Sequence, residues 1–96
     1  MDVRLGAVDD NTDNGLQAVE RACEKGAGLI VMPELWSCGF DGDRIARHAE
    51  KTAAILDALG QRAKTRNAVI AGSLPEIDGD RLYNTLFVVN QSGSIA

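Results

Sequence analysis

The residue best placed to do chemistry is Glu34, which directly follows the apolar run Leu29-Ile30-Val31-Met32-Pro33. A short continuous apolar run after a helix reads as a buried strand, and in open α/β sheets ligand sites gather at the carboxyl ends of strands. A carboxylate there, between Pro33 and Leu35-Trp36, is expected to be partly desolvated. Desolvation disfavours the charged form and moves a glutamate toward the range of a general base. The bland alternative is a glutamate that caps a helix or pairs with a surface arginine, because structural ion pairs mimic functional ones. Trp36 and Phe40 stand beside it as candidate walls of a substrate pocket, or as aromatics packed under a loop. Asn84, within a later apolar segment, reads as a hydrogen-bonding residue able to support the site. The two cysteines, Cys23 and Cys38, have no metal-ligand spacing, and the single histidine, His48, is not arranged with them. Cys38 lies four residues after Glu34, but a lone thiol needs a placed base and an orienting group to act as a nucleophile.

These residues need elements to position them. Val3 to Val8 alternates and reads as a strand, with the polar cluster Asp9 to Asn14 as a loop ending in helix-capping residues, Asp13 or Asn14. A helix then runs to about Lys25 with Leu16, Val19, Ala22 and Cys23 on its apolar face. Cys23 is thus expected in the core. Gly26 and Gly28 end the helix. Leu29 to Met32 is expected to be buried on both faces, as in parallel or mixed sheets; beside Val3 to Val8 it would make a right-handed crossover unit. Ser37 to Asp43 reads as a loop. A helical region follows, weak from Arg44 to Glu50 and stronger from Thr52, with Ile55, Leu56, Leu59 and Ala63 inward and Arg62, Lys64 and Arg66 near its negative end. His48, in the weaker part, reads as a solvated surface histidine. Ala68 to Gly72 is another buried strand, Pro75 and Asp78-Gly79 mark a turn, and Arg81 to Asn90 returns as a hairpin strand apolar on both faces. Gln91-Ser92-Gly93 is a second turn into Ser94-Ile95-Ala96, a strand barely begun. Natural domains seldom leave such an edge unpaired, so a truncated domain is expected.

At 96 residues the chain offers at most one small domain, residues 1–96. Hydrophobic residues make up 45% and charged ones 25%, an ordinary globular mix. A net charge of -4 without a basic cluster argues against nucleic-acid binding. No signal peptide or apolar run of membrane-spanning length is read, so neither a membrane nor secretion is expected, and free thiols suit a reducing cytoplasm.

The segment from Gly26 to Trp36, followed by Cys38-Gly39-Phe40, resembles the first catalytic block of the nitrilase superfamily of carbon–nitrogen hydrolases. The later stretch Val69 to Glu76, then Leu82-Tyr83-Asn84-Thr85, resembles the same family at family-like spacing. The resemblance covers essentially the whole chain. It implies an α-β-β-α sandwich, of which this chain would form the first part: an α/β fold with a mixed sheet and helices on one face. It also implies a cysteine nucleophile, a glutamate base and a lysine, with a second glutamate assisting. The base matches Glu34. The lysine, the nucleophilic cysteine and the assisting glutamate have no matching positions here. Lys25, Lys51 and Lys64 fit no family motif, and Cys38 sits in the wrong block. The loop Asp9 to Asn14 is shorter than the family's usual one.

The context Glu34-Leu35-Trp36 leans toward the amidase-type branches. The expectation is the N-terminal portion of a hydrolase acting on small-molecule amides, inactive as this chain alone, needing no metal or organic cofactor, and a homo-oligomer when intact. Two other classes stand beside it: a non-catalytic α/β module binding a small molecule or partner, and a subunit completed by a second polypeptide.

Overall fold

A computed structural model describes residues 1–96. Its elements are α1 (Val8–Glu24), β1 (Leu29–Val31), α2 (Ile45–His48) between two 3-10 turns (Gly42–Arg44 and Ala49–Lys51), α3 (Thr52–Arg66), β2 (Val69–Asp78) and β3 (Arg81–Val89). The sheet order is β1-β2-β3. β1 pairs with β2 in parallel, Val31 opposite Ala71, and β2 pairs with β3 antiparallel, from Ile70 opposite Val89 to Asp78 opposite Arg81.

The sheet has one covered side. Ile70, Leu74, Phe87 and Val89 share a core with Ile55, Leu59 and Ala63 of α3 and Val19 of α1. The other side carries Leu29, Val31, Leu82 and Leu86, all exposed, with Leu29 and Val31 at 64% and 71%. The mixed sheet with helices on one face is therefore as expected. The two-sided burial expected of Leu29 to Met32 and of the last strand is not found, because on the second side this chain covers only the middle of β2, at Ser73 and Pro75.

The largest difference lies at the amino end. Val3 to Val8 forms no strand, so the crossover expected from it is absent; the parallel pair is instead joined through α2 and α3. Two local facts account for this. Gly6 turns the chain at φ +71°, where a Cβ would stand 2.6 Å from Asp41 Oδ2. Arg4, whose N–H and C=O a neighbouring strand would have paired, gives both to one side chain: its N–H donates to Asn11 Oδ1 (2.8 Å) and its C=O accepts from Asn11 Nδ2 (2.7 Å). Asn11 is fully buried and is not in a loop. α1 starts at Val8, so Asp13 and Asn14 lie inside the helix and cap nothing. Asp9 and Asp10 occupy its first turn, where the helix dipole favours negative charge.

The buried face of α1 reads Val8, Asn11, Gly15, Val19. That is a sound helical period with a polar residue and a glycine in it, which hides the first half of the helix from a search for apolar residues. At the other end α1 stops at Glu24 and α3 at Arg66, where Asn67 turns left-handed at φ +53°. Arg66 Nε donates to Glu20 Oε2 at 2.8 Å and ties the two helices on their surface.

Pro75 is inside β2, not at a turn; only Gly79-Asp80 separates β2 from β3. Beyond Ala71 β2 has no partner on its β1 side, and edge strands tolerate proline. After Gln91-Ser92-Gly93, Ile95 bridges back to Val89 as the hairpin pattern implied. No helix is long and apolar enough to cross a membrane.

Candidate active site

The last ladder bond of β1 runs from Met32 N–H to Ala71 C=O (2.7 Å). Pro33 ends the strand and the chain turns through Glu34 to Ser37. The turn is held from several sides. Leu35, only 2% exposed, sits at φ +46°, a left-handed conformation that costs a non-glycine residue on the order of 1–3 kcal/mol. Its N–H donates to Ser73 Oγ on β2 (2.8 Å). Its C=O accepts from the N–H groups of Cys38 (3.1 Å) and Gly39 (2.7 Å). Asn11 Nδ2 donates to Ser37 C=O (3.0 Å), closing the turn against α1.

From this turn the Glu34 side chain crosses the middle of β2, near Ser73, toward β3, where Asn84 Nδ2 donates to Glu34 Oε2 at 2.7 Å. Met32, Glu34, Gly72, Ser73, Asn84 and Leu86 line a shallow concavity of about 300 Å³ around this pair. A carboxylate with one oxygen committed to an amide donor keeps the other free to accept a proton, the equipment of a general base. The expected water-poor setting is absent: Glu34 is exposed. The physical reason is the same uncovered sheet side, since Ser73, Asn84 and Leu86 belong to the face that carries Leu29 and Val31.

The other residues singled out in the sequence fall elsewhere. Trp36 is fully buried, its ring between Gly15 of α1 and Gly72 of β2; it lies beneath the concavity rather than in its wall. Phe40 is 67% exposed and does not line it. Cys23 is half-buried on α1. Lys25 and Lys64 are exposed, and Lys51 pairs with Asp9 (2.6 Å). His48 is not the solvated histidine expected. Its Nε2 lies 2.7 Å from Asp41 Oδ2, the two side chains only 12% and 13% exposed, in the crevice that Gly6 leaves open. A larger concavity, about 800 Å³, lies between the start of α1 and α2; it is lined by charges of both signs and does not include Glu34.

Cys38 is buried, with its Sγ donating to Gly39 C=O at 3.2 Å. Burial pushes its thiol up from the ordinary value. The folded chain thus holds the proton more tightly than the unfolded one. The resulting stabilisation is whole below the unfolded thiol's value, about 8.5, and is lost as pH rises through the folded value. Urea midpoints measured from pH 8 to 10 are accordingly expected to fall more steeply for the native chain than for Cys38→Ala. Parallel slopes would contradict this.

Asn11 and Ser73 escaped the sequence reading although they fix the Glu34 turn. Ser73 stood in a segment legible only as strand. For Asn11 the one available signal was its place in the helical series Val8, Asn11, Gly15, Val19.

The Carbon-nitrogen hydrolase family matches residues 2–96. The chloroplastic omega-amidase of Arabidopsis thaliana is 34% identical over 94 residues, covering 88% of this chain and 25% of that protein. Among solved structures, an amidase of the nitrilase superfamily from Nesterenkonia superposes with a TM-score of 0.83 at 28% identity, over 98% of this chain and 37% of its own. The same amidase in complex with butyramide gives 0.81 at 27% identity, with the same coverage. The chain thus spans between a quarter and two fifths of the length of these proteins.

Proposed function

The chain belongs to the carbon–nitrogen hydrolase family, and from that premise we propose that it supplies the general base, Glu34, of an amidase whose cysteine and lysine lie on polypeptide outside these residues. The observation that carries this reading is the Glu34 carboxylate itself, at the carboxyl end of β1, oriented by Asn84 within a concavity.

The chemistry follows from what a carboxylate can do there. The free oxygen of Glu34 takes the proton of a cysteine thiol brought against it. The thiolate attacks the amide carbonyl, and the lysine ammonium stabilises the oxyanion. The amine leaves with the proton that Glu34 took from the thiol, and a thioester remains. Glu34 then takes a proton from water; the hydroxide attacks the thioester, the C–S bond breaks to release the acid, and Glu34 returns its proton to the cysteine thiolate. Small aliphatic amides are the proposed substrate class, in keeping with the butyramide bound by the Nesterenkonia amidase. The uncovered apolar face, Leu29, Val31, Leu82 and Leu86, supports completion by further polypeptide over a free-standing binding module, since soluble proteins seldom leave a large apolar patch bare.

Ammonia release from butyramide tests the proposal. The purified chain should release none. Joined in place of the matching segment of the Nesterenkonia amidase, it should yield a hydrolase. Turnover by the chain alone would overturn the division of labour, and a joined protein whose turnover ignores Glu34→Gln would overturn the role of Glu34.

A further inference from the structure

We propose that Ser73 is the positioning residue of the Glu34 carboxylate, acting through the backbone of Leu35. The proposal deepens the reading of Glu34 as the base and rests on it. Three observations meet at this one hydroxyl. Leu35 is held at φ +46° although it has a full side chain buried in the core. Its N–H, which has no partner in a helix or ladder, is satisfied by Ser73 Oγ at 2.8 Å in a buried setting. Ser73 also lines the concavity with Glu34 and Asn84.

β2 can offer this bond because β1 has ended. β1 pairs with β2 only from Val69 to Ala71, so at Ser73 no neighbouring strand stands on that side. A side-chain oxygen replaces the missing neighbour and accepts from the turn. Without the hydroxyl, a buried N–H loses its only partner, and the bonds from Cys38 and Gly39 to Leu35 C=O are left to hold its unfavourable φ alone. The turn then relaxes toward ordinary backbone angles and the preceding residue, Glu34, swings off Asn84. A serine serves where alanine cannot, because the acceptor must sit one bond beyond Cβ. Asn11 on Ser37 C=O steadies the far end of the turn but does not bear on Leu35 φ.

The side-chain amide of Asn84 reports the geometry directly. In the isotope-labelled full chain the Asn84 response is the Overhauser contact of its Nδ2 protons with the Glu34 γ-protons, and Glu34→Ala should abolish that contact. Ser73→Ala should also abolish it while core methyl signals, such as those of Val19 and Ile70, remain in place. Ser73→Thr, which keeps the hydroxyl, should restore it. Loss of melting temperature alone, with the Asn84 response intact in folded Ser73→Ala, would reduce Ser73 to a structural residue and overturn the proposal. Should Ser73→Ala fail to fold, Ser73→Cys takes its place: a weakened Asn84 response supports the proposal and an unchanged one overturns it. None of these readouts uses turnover, so they stand apart from the test of Glu34 as base. In the joined hydrolase the matching expectation is a fall in kcat of about 10²-fold at unchanged KM.

Discussion

Glu34→Gln in the hydrolase completed around this chain is expected to lower kcat by about 10²–10⁴-fold, the usual contribution of a positioned acid–base group. The substitution isolates chemistry from structure. Glutamine keeps the length and the carbonyl oxygen, so it can still accept from Asn84 Nδ2 at the 2.7 Å seen for the carboxylate. It cannot take a proton from a thiol. Glu34 is exposed and forms no ion pair, so the melting temperature should stay within the small range of surface substitutions, about 0.5 kcal/mol either way. Glu34→Asp gives the complementary result. It retains the base but withdraws it from Asn84 by one methylene, and should fall between native and glutamine. Amide turnover and thermal melts of the three proteins make the comparison. A glutamine variant within twofold of native turnover would remove Glu34 from the mechanism.

That Glu34 could be placed just beyond the end of β1 without coordinates has a simple cause. Leu29 to Pro33 is a local signal, a strand and its stop, and the position of the carboxylate follows from where the strand ends. The hairpin from Asp78-Gly79 and the inward face of α3 are local in the same sense. What escaped notice depends on residues distant in the chain. Arg4 is not a strand residue because Asn11 pairs its backbone and Gly6 turns against Asp41. His48 is sheltered because Asp41 faces it across the same crevice. Ser73 matters because the turn from β1 passes over it. In each case one polar side chain satisfies backbone or charge that the sequence pattern assigns to another partner. The expected burial of Glu34 failed for a different reason. Apolar runs on β1 and β3 correctly mark two faces that avoid water, but this chain contains the cover for only one.

Trp36→Ala is expected to be the most destabilising single substitution in the chain, at about 3–5 kcal/mol for loss of a large buried aromatic. A domain of this size has a total stability of about 5–14 kcal/mol, so the loss is a large part of the whole. One feature moderates it: Trp36 Nε1 is buried without a partner, and removing the ring relieves that. The ring also explains Gly15. A Cβ there would stand 2.4 Å from Trp36 Cζ3, closer than any side chain tolerates. Gly15→Ala should therefore set two effects against each other. Alanine gains about 1 kcal/mol in a helix interior, while overpacking against a rigid ring costs about 1–3 kcal/mol. With Trp36 present the second effect wins and the variant is destabilised. With Trp36 already replaced by alanine only the flexible end of Met32, 3.1 Å from such a Cβ, remains close and can give way, so the same Gly15→Ala change should stabilise. A sign reversal of this kind identifies direct contact in a double-mutant cycle. Urea unfolding of the four proteins followed by circular dichroism measures it, since Trp36 is the only tryptophan and its fluorescence goes with it. A Gly15→Ala variant that gains stability in the native background would show that the ring does not lie on α1. The floor beneath the Glu34 turn would then have to be placed elsewhere.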